Sequence, residues 1–304
     1  MFLETRPFLA KLRSNAFFLM LGGYACVLVV WYAYNGVLFQ FSLGLWALAF
    51  LPVTLVLGKT RQFARELTPF IVLLLSYEAL QGVAGSLAII PVIHPTASSA
   101  TITPYGFYQA VQSAFLSPDL TDVMTFLYGL HFPLIIIASV VFWYANRTIY
   151  KRYVYSLVAV SYVSLLFYII APSAPPWYNG VVTNLLASTS SQAGSSGIIG
   201  EFAKIGSMIE SDKFAAFPSL HAAYAVLFGY FTIKLKKIYA VVSVPIVGGI
   251  LFSTVYLGQH YIIDLIGGTA VAACCVFIMT RTIRRQVEPA ITIESSRLSS
   301  GSSL

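Results

Sequence analysis

The sequence predicts an all-α protein, a polytopic membrane bundle of about eight transmembrane helices with both termini cytoplasmic. Three observations predict it. The 304 residues are 58% hydrophobic and only 10% charged, with a mean hydropathy of +0.80, where soluble domains carry roughly a quarter charged residues. Apolar runs of about 18–25 residues recur along the chain, the length that crosses a bilayer as helix. In lipid each backbone group must be satisfied within its own segment, so these runs are helices. The basic residues fall in short clusters between apolar runs, which marks cytoplasmic loops. The formal charge of +7 therefore belongs to membrane topology, and no nucleic-acid partner is implied.

The expected spans are 16–34, 39–57, 68–88, 124–145, 153–171, 217–233, 238–256 and 261–280. The run from Ala16 follows Lys11 and Arg13 as a signal peptide would. It is too long for the apolar part of one, and no clear Ala-x-Ala site follows, so it reads as a retained first helix. Charge orders the rest. Arg6, Lys11 and Arg13 precede the first span, and Lys59, Arg61 and Arg65 follow the second. Arg147, Lys151 and Arg152 follow the fourth, Lys234, Lys236 and Lys237 the sixth, and Arg281, Arg284 and Arg285 the eighth. All of these clusters share one side if both termini are cytoplasmic, and the other side keeps only Lys204 and Lys213. Three regions follow: N-terminal helices over 1–93, a membrane core over 94–286, and a polar, disordered cytoplasmic tail over 287–304.

The long loops lie on the non-cytoplasmic side. Residues 89–123 hold no Lys or Arg, and their piece Tyr105–Leu116 is amphipathic and suited to the interface. Residues 172–216 open Pro-Ser-Ala-Pro-Pro-Trp-Tyr and run through the Ser/Gly-rich stretch Ser188–Gly197. Loops of this length are functional or disordered. Cys26, Cys274 and Cys275 all fall in apolar spans, with no Cys-x-x-Cys pattern, and read as packing residues.

Chemistry concentrates between Phe214 and Asp264, which holds two of the four histidines and an acid within an apolar helix. An ionisable group in a membrane segment is costly and so a functional candidate. His260 and Asp264 lie four residues apart, on one helix face. The carboxylate can hold the proton of one imidazole nitrogen and leave the other free to attack; a plain hydrogen-bonded pair between helices fits the spacing equally well. Pro218-Ser219-Leu220-His221 opens the sixth span. Its free amides and the Ser219 hydroxyl suit an anionic oxygen, and His221 can give a proton to a leaving group; a capped helix start is the simpler use. The topology sets His221 and His260 at one membrane depth, so the two motifs converge.

Those residues resemble the second and third signature motifs of the type 2 phosphatidic acid phosphatase superfamily: Pro218-Ser219-Leu220-His221, and Ser253 followed at fixed spacing by His260 and Asp264. The resemblance implies that His260 is the nucleophile that takes the phosphoryl group, that Asp264 orients it and that His221 protonates the departing group. It implies no metal and no cofactor. Two departures stand out. Thr254 occupies the place of an arginine, and the family's first motif, a lysine with Arg-Pro further on, is absent from the outer side. Those cations normally hold the phosphate; Lys213 is the first substitute, Lys204 the second. The departures themselves resemble the inositol phosphorylceramide synthase (aureobasidin-resistance) branch of phosphotransferases. Ala174-Pro-Pro-Trp-Tyr178, Phe217–Ala223, Tyr256–Gly268 and Leu127-Tyr-Gly-Leu-His-Phe-Pro133 carry that likeness, within a match of roughly 120–280.

The expected partners are a phospholipid or lipid phosphate substrate, a lipid alcohol acceptor and membrane lipids. The expected location is a cell membrane, with the site on the non-cytoplasmic side. His131 either helps hold the phosphate or makes a structural hydrogen bond. Tyr178, beside Trp177, either shapes the lipid approach or anchors the interface. Glu78 reads as an interhelical hydrogen-bonding group and His94 as solvated. A lipid phosphate phosphatase shares all three reactive residues. A transporter would place its ionisable groups nearer the midplane and show a repeat, and neither is seen.

Overall fold

A computed structural model of the chain describes residues 87–95, 104–191 and 213–300, with scattered positions between 62 and 80 and side chains as far as 282. The first two expected spans and Glu78 lie outside the described residues. The chain divides into two compact units, Met1–Val83 and Ala84–Leu304. In the first, the described positions between 62 and 80 are helical, with Leu67, Phe70 and Tyr77 buried.

The second unit is built from α1 (Tyr105–Phe115), α2 (Pro118–Ala145), α3 (Arg147–Ile170), α4 (Leu185–Ser191), α5 (Leu220–Leu235), α6 (Ala240–Tyr256) and α7 (Ile262–Ser300). Each start has a chemical cause. Ser117 caps α2 by accepting from the Leu120 amide at 3.2 Å, with Pro118 at the first helical position. Asn146 ends α2 and starts α3 at once. Its amide donates to the Phe142 carbonyl at 2.8 Å, and its side-chain oxygen accepts from Thr148 and Ile149, each at 3.0 Å. A joint this short folds α3 back along α2.

Proline bends α2. Its halves, Pro118–His131 and Pro133–Ala145, meet at 51°, because Pro133 has no amide to donate and its ring crowds the preceding turn. Three helical segments, Arg147–Ile170, Lys237–Tyr256 and Ile262–Thr282, are long and apolar enough to cross a membrane, and the bent α2 makes a fourth if its halves count as one span. The chain is thus a multi-pass, all-helical membrane protein over its described residues. The expected fourth to eighth spans overlap α2, α3, α5, α6 and the apolar part of α7; α2 and α3 each begin six residues earlier, at Pro118 and Arg147, and α5 is an apolar helix shorter than a full span. The backbone of α7 stays helical to Ser300, through most of the segment set apart as a tail from 287.

α5 is the central helix. It packs on α2, α3, α6 and α7, and Ala222, Ala223, Ala225 and Gly229 on its buried surface let those neighbours approach closely. The loops before α1, after α3 and before α5 form no strand among the described residues, yet they are tied together. Ile93 and Ser173 pair in parallel, as do Ser173 and Ala215. Ser173 donates its amide to Phe214 at 2.8 Å, accepts from Ala216 at 3.3 Å, and takes the Phe217 amide on its hydroxyl at 2.9 Å. That brings the chain into α5 at a set height.

Candidate active site

His260 stands in the short link between α6 and α7. The end of α6 is closed by Gly258 at φ 81. Its amide donates to Val255 at 3.1 Å and that of Gln259 to Thr254 at 2.9 Å, the paired bonds of a left-handed helix stop. A side chain on Gly258 would be strained and would meet Val182 and the Thr183 carbonyl. The next turn is held from both sides. The Asp264 carboxylate reaches back to accept the Tyr261 amide at 2.8 Å, and the Tyr108 hydroxyl of α1 accepts the Ile262 amide at 2.9 Å. From α1, Gln112 donates to the Thr183 and Tyr256 carbonyls at 2.8 and 3.0 Å and accepts the Thr183 amide at 3.0 Å. The amphipathic piece expected at the interface is therefore a clamp over this link.

His221 sits in the first turn of α5. Ser219 caps that helix, its hydroxyl oxygen accepting the Ala222 amide at 3.3 Å. Tyr168 of α3 donates to the Pro218 carbonyl at 2.9 Å, and the Ser219 amide donates to the Asp264 carbonyl at 3.0 Å. This approach to α7 needs Gly267 and Gly268. A Cβ on Gly267 would lie 2.5 Å from the Phe217 ring, and one on Gly268 would overlap the Ser219 carbonyl oxygen. Gly268→Ala is expected to push the start of α5 off α7. The expected loss is about 1–3 kcal/mol of stability and, because His221 moves with that turn, about 10²-fold of turnover. A melting curve in detergent beside an activity assay checks both.

The three histidines then meet. His260 Nε2 lies 3.4 Å from His221 Nδ1. His260 Nδ1 lies 3.0 Å from the Ala216 carbonyl and 3.6 Å from Asp264 Oδ2. A carbonyl can only accept, so Nδ1 carries the hydrogen and Nε2 keeps its lone pair, aimed at His221. Asp264 shares that hydrogen with a backbone oxygen instead of holding it alone. On the other side of His221 stand Tyr128, its ring stacked at 4.0 Å between centroids, and His131 at 3.7 Å. His131 Nδ1 is anchored on the Tyr128 carbonyl at 2.7 Å. All of these side chains are buried: His131 2%, His221 8%, His260 6% and Asp264 3% exposed.

The remaining candidates spread outward. Ser219 is fully buried as a cap. Lys213 is exposed, in the turn before Phe214. Tyr178 is exposed too, and it packs edge-on against Phe214 at 5.1 Å, the residue that follows Lys213. His94, expected to be solvated, is exposed but accompanied. It hydrogen-bonds Asn179 at 2.8 Å and stacks on Tyr178 at 5.9 Å. Thr254, in place of the family's arginine, is buried with its hydroxyl on the Leu251 carbonyl at 2.8 Å.

Bundle and site together define a membrane protein with a buried histidine cluster at one end of its central helix. The chain belongs to the PAP2 superfamily, whose family model matches residues 105–278. Among curated proteins it is similar to an inositol phosphorylceramide synthase of Candida albicans, 29% identical over 179 residues that cover 55% of this chain and 38% of the relative. It is similar to the inositol phosphorylceramide synthase catalytic subunit aur1 of Schizosaccharomyces pombe, 33% identical over 37% of this chain and 28% of the relative. A phosphoinositol dihydroceramide synthase of Bacteroides thetaiotaomicron is 32% identical over 42% of this chain and 44% of the relative. The matched part is thus less than half the length of each. No solved structure matches significantly.

Proposed function

We propose that this protein is an integral membrane lipid phosphotransferase that works through a phosphohistidine, taking a phosphoinositol lipid as donor and a lipid alcohol of the ceramide kind as acceptor. The observation that carries the proposal is the buried pair His260 Nε2 and His221 Nδ1, 3.4 Å apart, with the hydrogen of His260 held on its other nitrogen. His260 Nε2 attacks phosphorus, and the bond to the departing lipid oxygen breaks. His221 gives that oxygen its proton, then takes one from the acceptor hydroxyl as it attacks the phosphohistidine. Asp264 and the Ala216 carbonyl steady the positive charge that develops on His260.

Burial of His221 and His260 supports transfer over hydrolysis, because it limits the water that competes with an alcohol for the phosphohistidine. With the first-motif cations missing, the phosphate is assigned to the exposed Lys213 and to the start of α5, whose dipole favours an anion; Tyr178 guides the lipid. The topology proposed is eight spans, both termini cytoplasmic and the histidines at the non-cytoplasmic face of a cell membrane.

The test is purified protein in detergent with EDTA, head-group-labelled phosphatidylinositol, and diacylglycerol, ceramide or polyprenol as acceptor. A labelled new lipid that appears only with an acceptor is expected. Water-soluble label alone, from folded protein, would make the protein a lipid phosphatase or phosphodiesterase instead.

A further inference from the structure

α5 and α7 enclose a second feature, which runs away from the histidines. It is a groove of about 390 Å³, lined mostly by apolar side chains including Val226, Tyr230, Ala273, Val276 and Phe277. Its character changes at one end. Thr280 and Arg281 line it there, and the Arg281 guanidinium lies 4.0 Å over the Phe277 ring. From the facing helix Lys234 brings its ammonium to 5.6 Å over the Tyr230 ring. Two exposed cations, one from each helix, thus fold back over the two aromatic walls of a single apolar groove. Between them, the Thr280 hydroxyl is buried and has no hydrogen-bond partner among the described residues, although a helical threonine can bond a carbonyl of its preceding turn.

We infer that this groove binds one anionic glycerophospholipid, an acyl chain between α5 and α7, an ester or phosphate oxygen on Thr280 Oγ1, and the phosphate charge on Arg281 and Lys234. An apolar slot with its cations at one end matches the anatomy of such a lipid, and basic pockets between spans take acidic head groups. The site is distinct from the histidine cluster. His221 and Lys234 are thirteen residues apart on one helix, about 20 Å at 1.5 Å per residue, so the lipid sits in the opposite leaflet. On the proposed topology that leaflet is cytoplasmic, where anionic lipids gather. The inference rests on the chain lying in a bilayer and not on its chemistry.

The test is native mass spectrometry of the purified protein titrated with phosphatidylserine or with phosphatidylcholine of the same chains. One phosphatidylserine is expected to stay bound in preference to phosphatidylcholine. Lys234→Gln with Arg281→Gln is expected to weaken it by about tenfold or more. Thr280→Val is expected to weaken it less, and Ala273→Phe, which fills the groove, to remove it with both cations present. Excess inorganic phosphate should not displace it. Equal retention of the two lipids, or loss in the charge variant with full retention in Ala273→Phe, would overturn the inference; the second result would mean surface charge alone. Circular dichroism confirms folding of each variant.

Discussion

Replacing His260 with alanine is expected to lower turnover by on the order of 10⁴-fold or more, with helix content unchanged. Its Nε2 is the nitrogen with a lone pair facing the partner histidine, and no other described side chain offers a nucleophile at that point. The fold should tolerate the change. His260 lies in a link, and that link is held by Gly258, Tyr108, Gln112 and the Asp264 carboxylate, none of which needs the ring. The cost is the Ala216 carbonyl left without its donor, about 1–3 kcal/mol. Covalent trapping gives the sharper readout. Wild-type protein incubated with head-group-labelled donor and no acceptor, then quenched in base, is expected to carry label on His260. A folded His260→Ala protein that turns over normally, or that takes label to the same extent, would sink the phosphohistidine mechanism.

What could be read from the sequence and what could not divide along physical lines. The helices were legible because lipid demands long apolar runs, so α2, α3, α5, α6 and α7 overlap their expected places, though α5 is shorter than a full span. His221 and His260 were legible because polar residues are scarce in such helices and their spacing carries a motif. The geometry that holds the pair was not. The hydrogen on His260 Nδ1 is held most closely by the backbone of Ala216, and a carbonyl leaves no mark in residue type. The near approach of Ser219 to α7 depends on Gly267 and Gly268, two glycines in a helix that look like loose packing until the neighbouring chain is seen. Tyr128 is one of many aromatics in a chain that is 15% Phe, Trp and Tyr. Only its position, one turn before His131, links it to the site. Lys213 was chosen for charge, and charge alone does not say that it is exposed while the histidines are buried.

His221→Ala is the second large effect, and its size should depend on the substrate. Loss of a general acid is expected to slow a natural lipid donor by about 10²–10⁴-fold, because an alkoxide leaves poorly without a proton. An aryl phosphoester whose leaving group departs as a stable anion needs no such proton, so the same variant should stay within about tenfold of wild type on it. His260→Ala should fail on both. Neighbours of His221 enter the same comparison. Tyr128 and His131 press on its ring at 4.0 and 3.7 Å, and His131 has its Nδ1 on the Tyr128 carbonyl. A positioning role for His131, acting through the His221 ring, predicts a different outcome from a phosphate-holding one. His131→Phe keeps a flat ring in place and is expected to retain most turnover. His131→Ala removes the contact, worth about 0.5–1.5 kcal/mol, and should lower kcat by up to about tenfold with KM little changed, on lipid donors more than on the aryl ester. If His131 instead held the phosphate, both variants would raise KM, on both substrates alike. Equal slowing of His221→Ala on lipid and aryl substrates would remove the proton from its assigned role and leave the ring as a wall of the site.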